Sequence, residues 1–324
     1  MKYSPIRNKV NVSQVAKGLR ENAPSLVAGE ETAYREKLVR ISEIAMREHK
    51  HIILVTGPSA SGKTTSAKRI ASILEEHGKK VNRISLDNFY KSRDKLPRWE
   101  DGYQNYESVE GLDIPCLDQV LSCLLTKGEA VFPIFNFSEG ARSEKTFTLY
   151  YDEQTYLIIE GIHALNPVLL NVLKEYPAIK VYISVHSDIV NDNNHILLGA
   201  RDLRLSRRIL RDFHCRSTAA EGTLKMWKYV LKGEELYIFP FRENADIHID
   251  STHIYEPFLY YDGLEEMMGS IGTDSPYFPE AQRLLQANQE FFSIPESLIP
   301  KTSLIQEFLE KIWLEESRIK IRNV

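Results

Sequence analysis

The sequence predicts an α/β fold, a mainly parallel sheet with helices on both faces. Three observations predict it. Short apolar runs at 52–55, 155–159 and 180–185 alternate with segments whose apolar residues recur every three or four positions. Such strand–helix alternation, joined by right-handed crossovers, gives a parallel sheet covered on both sides. The first run ends in Gly57-Pro58-Ser59-Ala60-Ser61-Gly62-Lys63-Thr64-Thr65. That is the Gly-x4-Gly-Lys-Thr phosphate-binding loop, placed between a buried strand and a helix.

Composition narrows the class. The chain has 324 residues with 43% hydrophobic and 27% charged, enough for one large domain with appendages. Its formal charge is −4, from 41 basic and 45 acidic residues, so no global basic field points to nucleic acid. Cys116, Cys123 and Cys215 form no Cys-x-x-Cys motif and suggest neither a disulfide framework nor a zinc site. A reducing cytoplasm is the expected compartment. The start lacks the apolar stretch of a secretory signal, and no apolar run reaches membrane-spanning length. Neither nucleic acid nor membrane is expected as a partner.

The elements follow in order. Residues 1–48 are read as a polar arm with a short helix over 1–30, then an amphipathic helix over 31–48 carrying Leu38, Ile41 and Ala45. The core is expected over 49–255. Its first strand is 51–56, followed by a helix over 62–77 with Gly78 as C-terminal cap. The next strand is 81–86, with Asp87 at its end. Residues 88–113 are too long and too aromatic for a simple connection. A helix follows at 115–127, then a hairpin excursion of 131–137 and 145–151. The strand at 155–159 ends in Glu160-Gly161, a helix covers 166–175, and a strand runs over 180–185. The segment 186–200 is read as a polar loop, 201–215 as a very basic helix, 222–232 as another helix and 245–250 as the last strand. The remainder, 256–324, is read as a helical extension. There Leu304, Ile305, Phe308, Leu309, Ile312 and Trp313 offer a face for docking or for a homo-oligomer.

Several side chains carry candidate chemistry. In the loop, glycines let backbone N–H groups approach phosphates closely, and the following helix turns its positive end toward them. Gly57, Ser59, Ala60, Ser61, Gly62, Lys63, Thr64 and Thr65 are therefore candidate nucleotide-binding residues. Lys63 reaches the terminal phosphates and Thr64 suits a Mg²⁺ shell. Asp87 and Glu160 stand at strand ends, the edge at which open α/β sheets hold ligands. Asp87 suits a base or an indirect metal contact, and capping a turn is the bland alternative. Glu160, after an apolar strand in a chain with a phosphate loop, suits the metal. Arg204, Arg208 and Arg211 share a helix face, and like charges so spaced repel unless an anion relieves them. The functional reading is a helical lid over 201–222 whose arginines meet a transferring phosphoryl group. The bland one is a solvated face paired with acids such as Asp202 and Asp212. His163 is read as structural. Trp99, Tyr103, Tyr106, Phe135 and Phe137 suggest an aromatic slot for a planar base or sugar.

Six stretches, Gly-Pro-Ser-Ala-Ser-Gly-Lys-Thr-Thr, Ser-Leu-Asp-Asn-Phe-Tyr, Asn-Tyr-Glu-Ser-Val-Glu-Gly-Leu-Asp, Pro-Ile-Phe-Asn-Phe, Ile-Ile-Glu-Gly-Ile-His and Arg-Leu-Ser-Arg-Arg-Ile-Leu-Arg-Asp, fall in one order over about 50–250. In this the chain resembles the uridine kinase/phosphoribulokinase family, small-molecule kinases of the P-loop NTPase fold. The resemblance implies ATP and Mg²⁺ as cofactors and a small-molecule acceptor, a nucleoside first. It implies Asp87 as the residue that takes the proton of a ribose 5′-hydroxyl, and Glu107 as the carboxylate that holds ribose hydroxyls. It further implies Arg208 on sugar and phosphate, with Arg211 and Arg216 in the lid. Tyr90, Phe135, Phe137 and Arg142 complete the candidate acceptor site. Departures are specific. The Tyr and His with which uridine kinases read the pyrimidine are replaced near Phe135 and Gly140, and Thr218 stands where a lid arginine is usual. A regulatory ATP-binding protein without phosphotransfer is the alternative from a different class. No Asn-Lys-x-Asp motif points to a GTPase.

Overall fold

In a computed structural model of the chain, residues 7–137 and 139–309 are described. Strand β1 (Asn8–Asn11) leads into α1 (Val12–Arg47), then β2 (Ile52–Thr56), α2 (Lys63–Glu76) and β3 (Lys80–Ser85). Helix α3 (Ile114–Lys127) precedes the hairpin β4 (Glu129–Asn136) and β5 (Ala141–Tyr150). Next come β6 (Thr155–Glu160), α4 (Pro167–Val172), β7 (Ala178–Ser184), β8 (Ser187–Val190) and β9 (Ile196–Leu198). Helices α5 (Ala200–Arg216) and α6 (Ala220–Tyr237) precede β10 (Ile247–Asp250). The described chain ends with α7 (Glu256–Leu259), α8 (Tyr261–Gly269), α9 (Phe278–Asn288) and α10 (Gln306–Leu309).

The central sheet has the order β10-β7-β2-β6-β3, and every pairing in it is parallel. β2 and β6 are buried along their whole length, as parallel strands covered on both faces must be. Their alternate residues feed two cores. Ile53, Val55, Ile158 and Val181 face the larger one, with α1, α2, α5 and the C-terminal helices. Ile52, Leu54, Leu157 and Ile159 face the smaller one, with α3 and α4. Register puts Val55 beside Glu160, Ser85 beside Glu160 and Thr56 beside Tyr182. The C-terminal strand ends therefore share one edge.

Three readings of the sequence are corrected. Within the arm and separate helix read over 1–48, the described residues form a strand, Asn8–Asn11, and one long helix, Val12–Arg47. α1 starts on Asn11, whose side chain accepts from the Gln14 N–H at 3.0 Å. It is interrupted at Asn22, where Pro24 lacks an N–H and Asn22 caps Ser25 at 3.1 Å. The polar loop 186–200 contains β8 and β9, which form a small sheet with β1. Asp188 beneath it caps α5 by accepting from the Ala200 N–H at 2.9 Å. α4 is shorter than the 166–175 helix expected. The Gly78 cap is present, with positive φ and its N–H on Glu75 O.

The C-terminal segment docks inward. Leu304, Ile305 and Phe308 are fully buried and α10 packs on α5, each such side chain contributing about 1.5–3 kcal/mol. Ile312 and Trp313 lie outside the described residues. No helix among the described residues is long and apolar enough to cross a membrane.

Candidate active site

The phosphate loop is built by two left-handed residues and one close approach. Gly62 has φ +82° and leads into α2, while Ala60 takes φ +58° at a cost of about 1–2 kcal/mol for a residue with a Cβ. A Cβ at Gly57 would sit 2.0 Å from the Ile183 carbonyl oxygen of β7. The loop is braced from behind. Ser66 Oγ donates to Gly62 O at 2.7 Å and shares a 2.6 Å hydrogen bond with buried Tyr34 of α1. Arg207, fully buried, donates to Ala60 O at 3.3 Å and forms a two-pronged pair with Glu256 at 2.6 and 2.9 Å.

Beside the loop stand the two strand-end acids. Thr64 Oγ1 donates to Glu160 Oε2 at 3.2 Å. Burial raises the Glu160 pKa and the Asp87 charge raises it further, while Lys63 acts in the opposite direction. A buried carboxylate beside a second acid and a threonine hydroxyl suits a hard cation. Mg²⁺ takes one or two carboxylates and keeps its remaining sites for water and phosphate oxygens. The residues present fit that ion. Among the described residues no cluster of three or more His, Cys, Asp or Glu forms a metal cage.

Asp87 is the second residue of the short 3₁₀ turn Leu86–Phe89 directly after β3. Its charge also acts on Tyr90, Glu107 and Arg216. Glu107 is partly exposed as a residue, yet its Oε2 is shielded and has no hydrogen-bond partner. Burial pushes its pKa up to about 7, against the pull of Arg208. The backbone there is set by Asn105, which accepts the Glu107 N–H at 3.1 Å and donates to Tyr237 of α6 at 3.3 Å. Gly233 of α6 makes room for Glu107: a Cβ there would fall 2.1 Å from the Glu107 Cβ. His163 is buried, and burial lowers its pKa to about 4.

The basic helix divides. Arg204 is not a lid group: it is buried and grips Glu234 of α6 at 2.7 Å through both terminal nitrogens. Arg201 pairs with Glu235 at the surface. Arg208, Arg211 and Arg216 converge on one buried acid, Asp212, at 3.2, 2.9 and 3.3 Å. Burial raises the Asp212 pKa, but Arg211, Arg208 and Arg216 outweigh it and the net direction is down. Arg208 also donates to Ser59 Oγ of the loop at 2.7 Å, which joins helix and loop. The pKa of half-exposed Arg216 is pulled below its usual value, first by Arg211.

The expected aromatic slot is two clusters. Tyr103 stacks on Tyr229 of α6 at 4.3 Å, and Trp99 lies beside Tyr229 and Tyr237. Phe135 meets Tyr90 at 6.1 Å and Phe137 at 5.1 Å. They separate because 97–105 folds onto α6 while the hairpin is held on Asn88, which accepts the Phe135 N–H at 3.2 Å. Arg142 pairs at 3.1 Å with Asp113, the N-cap of α3. Gly233 and the contact of Arg208 with Ser59 were not singled out from sequence, because the partners lie far apart along the chain; Asp212 was read only as one acid pairing a solvated face, and its burial was not foreseen.

A parallel sheet, a phosphate loop and acids at the strand ends define a protein of the P-loop fold. A family model described as "Phosphoribulokinase / Uridine kinase family" matches residues 52–255. "Uridine-cytidine kinase B" of Dictyostelium discoideum is 30% identical over 203 residues, 62% of this chain and 75% of that protein. "Uridine kinase" of Macrococcus caseolyticus is 31% identical over 199 residues, 61% of this chain and 86% of that protein. A solved structure of a possible uridine kinase from Bacillus stearothermophilus covers 67% of this chain and 98% of that one, at 17% identity and a TM-score of 0.47. The chain belongs to the phosphoribulokinase/uridine kinase family.

Proposed function

We propose that this protein transfers the γ-phosphoryl group of ATP to a primary hydroxyl of a small molecule, with the 5′-hydroxyl of uridine or cytidine as the leading acceptor. The observations that support the reading are the Thr64–Glu160 contact at 3.2 Å, the Arg208–Ser59 contact at 2.7 Å that ties the arginine helix to the phosphate loop, and the charges of Arg208, Lys63 and Asp87 acting on Glu107. The acceptor oxygen attacks the γ-phosphorus and the bond to the β–γ bridging oxygen breaks. Asp87 orients the hydroxyl and takes its proton. Lys63 and the arginines offset charge on the transferring group and on the departing ADP. Thr64 and Glu160 would hold Mg²⁺, which would supply charge neutralisation on the phosphates when bound. Glu107 accepts hydrogen bonds from acceptor hydroxyls.

A second reading in the same class, a kinase of another sugar or polyol, is favoured by the wall of Tyr90, Phe135 and Phe137. Of these only Tyr90 carries a polar group, and its hydroxyl is spent on Tyr106 O at 2.9 Å. A wall without free donors discriminates a base weakly. ATP consumption with Mg²⁺, measured across nucleosides, sugars and polyols with product masses, tests both. A nucleoside 5′-monophosphate supports the first reading, and a phosphorylated sugar or polyol alone supports the second. Tight ATP binding without any phosphorylated product overturns both and favours a regulatory nucleotide-binding protein.

A further inference from the structure

The phosphate loop has an anionic neighbour supplied by the chain itself. Leu304 lies over Gly62, where a Cβ would come within 2.2 Å of its Cδ1. Phe308 is buried under the Arg207 guanidinium, 5.1 Å from ring centroid to Cζ, and Arg207 in turn holds Ala60 O of the loop. Between Leu304 and Phe308, Glu307 extends its carboxylate to the loop: Thr65 Oγ1 donates to Glu307 Oε2 at 2.7 Å.

Thr65 is in the first turn of α2, directly after Lys63 and Thr64. There the free backbone N–H groups and the helix dipole favour an anion. A threonine hydroxyl has a single proton to donate. While Glu307 accepts it, no phosphate oxygen does, and the carboxylate repels an arriving polyphosphate. The segment that carries Glu307 is fixed at other points. Ser303 donates to Glu31 of α1, and Gln306 Nε2 donates to Ile299 O at 3.3 Å. Leu304, Ile305 and Phe308 are fully buried whereas Glu307 is only partly so. The Glu307 side chain can therefore swing away while the segment stays.

We propose that Glu307 is a resident competitor at the phosphate loop, which holds the Thr65 hydroxyl and weakens nucleoside di- and triphosphate binding until it turns away. The inference rests on the nucleotide-binding reading above. It makes the C-terminal segment a control on nucleotide affinity and not only a cap on the core.

Calorimetric titration of ATP with Mg²⁺, and of ADP, into the full chain and its Glu307→Gln and Glu307→Ala variants tests it. Gln keeps the size and an acceptor oxygen but not the charge, and being partly exposed it leaves the core untouched. Both variants are expected to bind ATP and ADP about tenfold or more tightly, with unchanged melting temperatures and a gain that shrinks as salt is raised. A merely structural role would lower affinity, not raise it. Equal or weaker nucleotide binding by folded Glu307→Gln overturns the proposal and leaves the kinase reading standing if the parent chain binds ATP. Binding seen only in the variants supports the proposal. Nucleotide binding by none of the three overturns the proposal and the kinase reading together.

Discussion

Replacing Glu107 with glutamine is expected to remove a pH dependence of stability. The carboxyl goes from the ordinary 4.5 up to about 7 on folding, first by burial and then through Glu234 and Asp87, against Arg208 and Lys63. Between those two values the folded protein keeps a proton that the unfolded chain has released. Stability therefore falls as pH rises through the window and levels off above about 7. At ~1.4 kcal/mol per pH unit the full effect is about 3 kcal/mol, an upper figure for a residue that retains some solvent contact. Thermal or urea unfolding of the parent and Glu107→Gln at pH 5, 6, 7 and 8 reads it directly. The difference between the two proteins cancels every other titrating group. The variant should gain about 1–3 kcal/mol relative to the parent from pH 5 to pH 8. Parallel profiles would refute the burial argument, because a carboxyl of ordinary pKa titrates alike in both states.

Four further outcomes are expected. Asp87→Ala retains ATP binding by titration and loses phosphoryl transfer by about 10²–10⁴ in kcat; near-normal turnover would remove Asp87 from the base role. Gly233→Ala drives a methyl against the Glu107 Cβ, at about 1–3 kcal/mol of overpacking. Its effect should appear as a raised KM for the acceptor with ATP affinity kept, so equal changes in both would show that Glu107 is not an acceptor group. Arg207→Ala leaves Glu256 buried without its partner and should cost about 3–5 kcal/mol in unfolding. By contrast Arg201→Ala, from a half-exposed pair with Glu235, should cost under about 1 kcal/mol.

Much of the fold was legible because it is written in local patterns. The runs that become β2, β6 and β7 are uninterrupted and apolar, and the loop after β2 has fixed spacing. What was not legible depended on contacts across the chain. β8 and β9 were hidden because Asn191 to Asn194 give their connection the look of a polar loop. They are strands because β1, about 180 residues earlier, pairs with β8 in parallel. α1 was split in the reading because residues 1–30 look polar and mixed. The structure instead has its interruption at Asn22 and continues the helix past it, since Val27, Tyr34, Leu38 and Ile41 all reach the core.

The basic helix shows where such reasoning stops and what geometry adds. Like charges at i, i+4 and i+7 imply that an anion must sit nearby, but spacing does not say which anion. For Arg204 it is Glu234, 30 residues on, and for Arg207 it is Glu256, 49 residues on. Both acids are fully buried and each meets one guanidinium in two hydrogen bonds, so those arginines are consumed by the fold. Arg208, Arg211 and Arg216 differ because they share Asp212. One carboxylate offers about four acceptor positions, and Thr223 already uses one at 3.4 Å. Three guanidiniums bring about fifteen N–H donors. Asp212 can hold the three side chains in place but cannot satisfy them. Arg208 already spends one donor on Ser59 at the edge of the phosphate loop, where an incoming phosphoryl group would supply further acceptors.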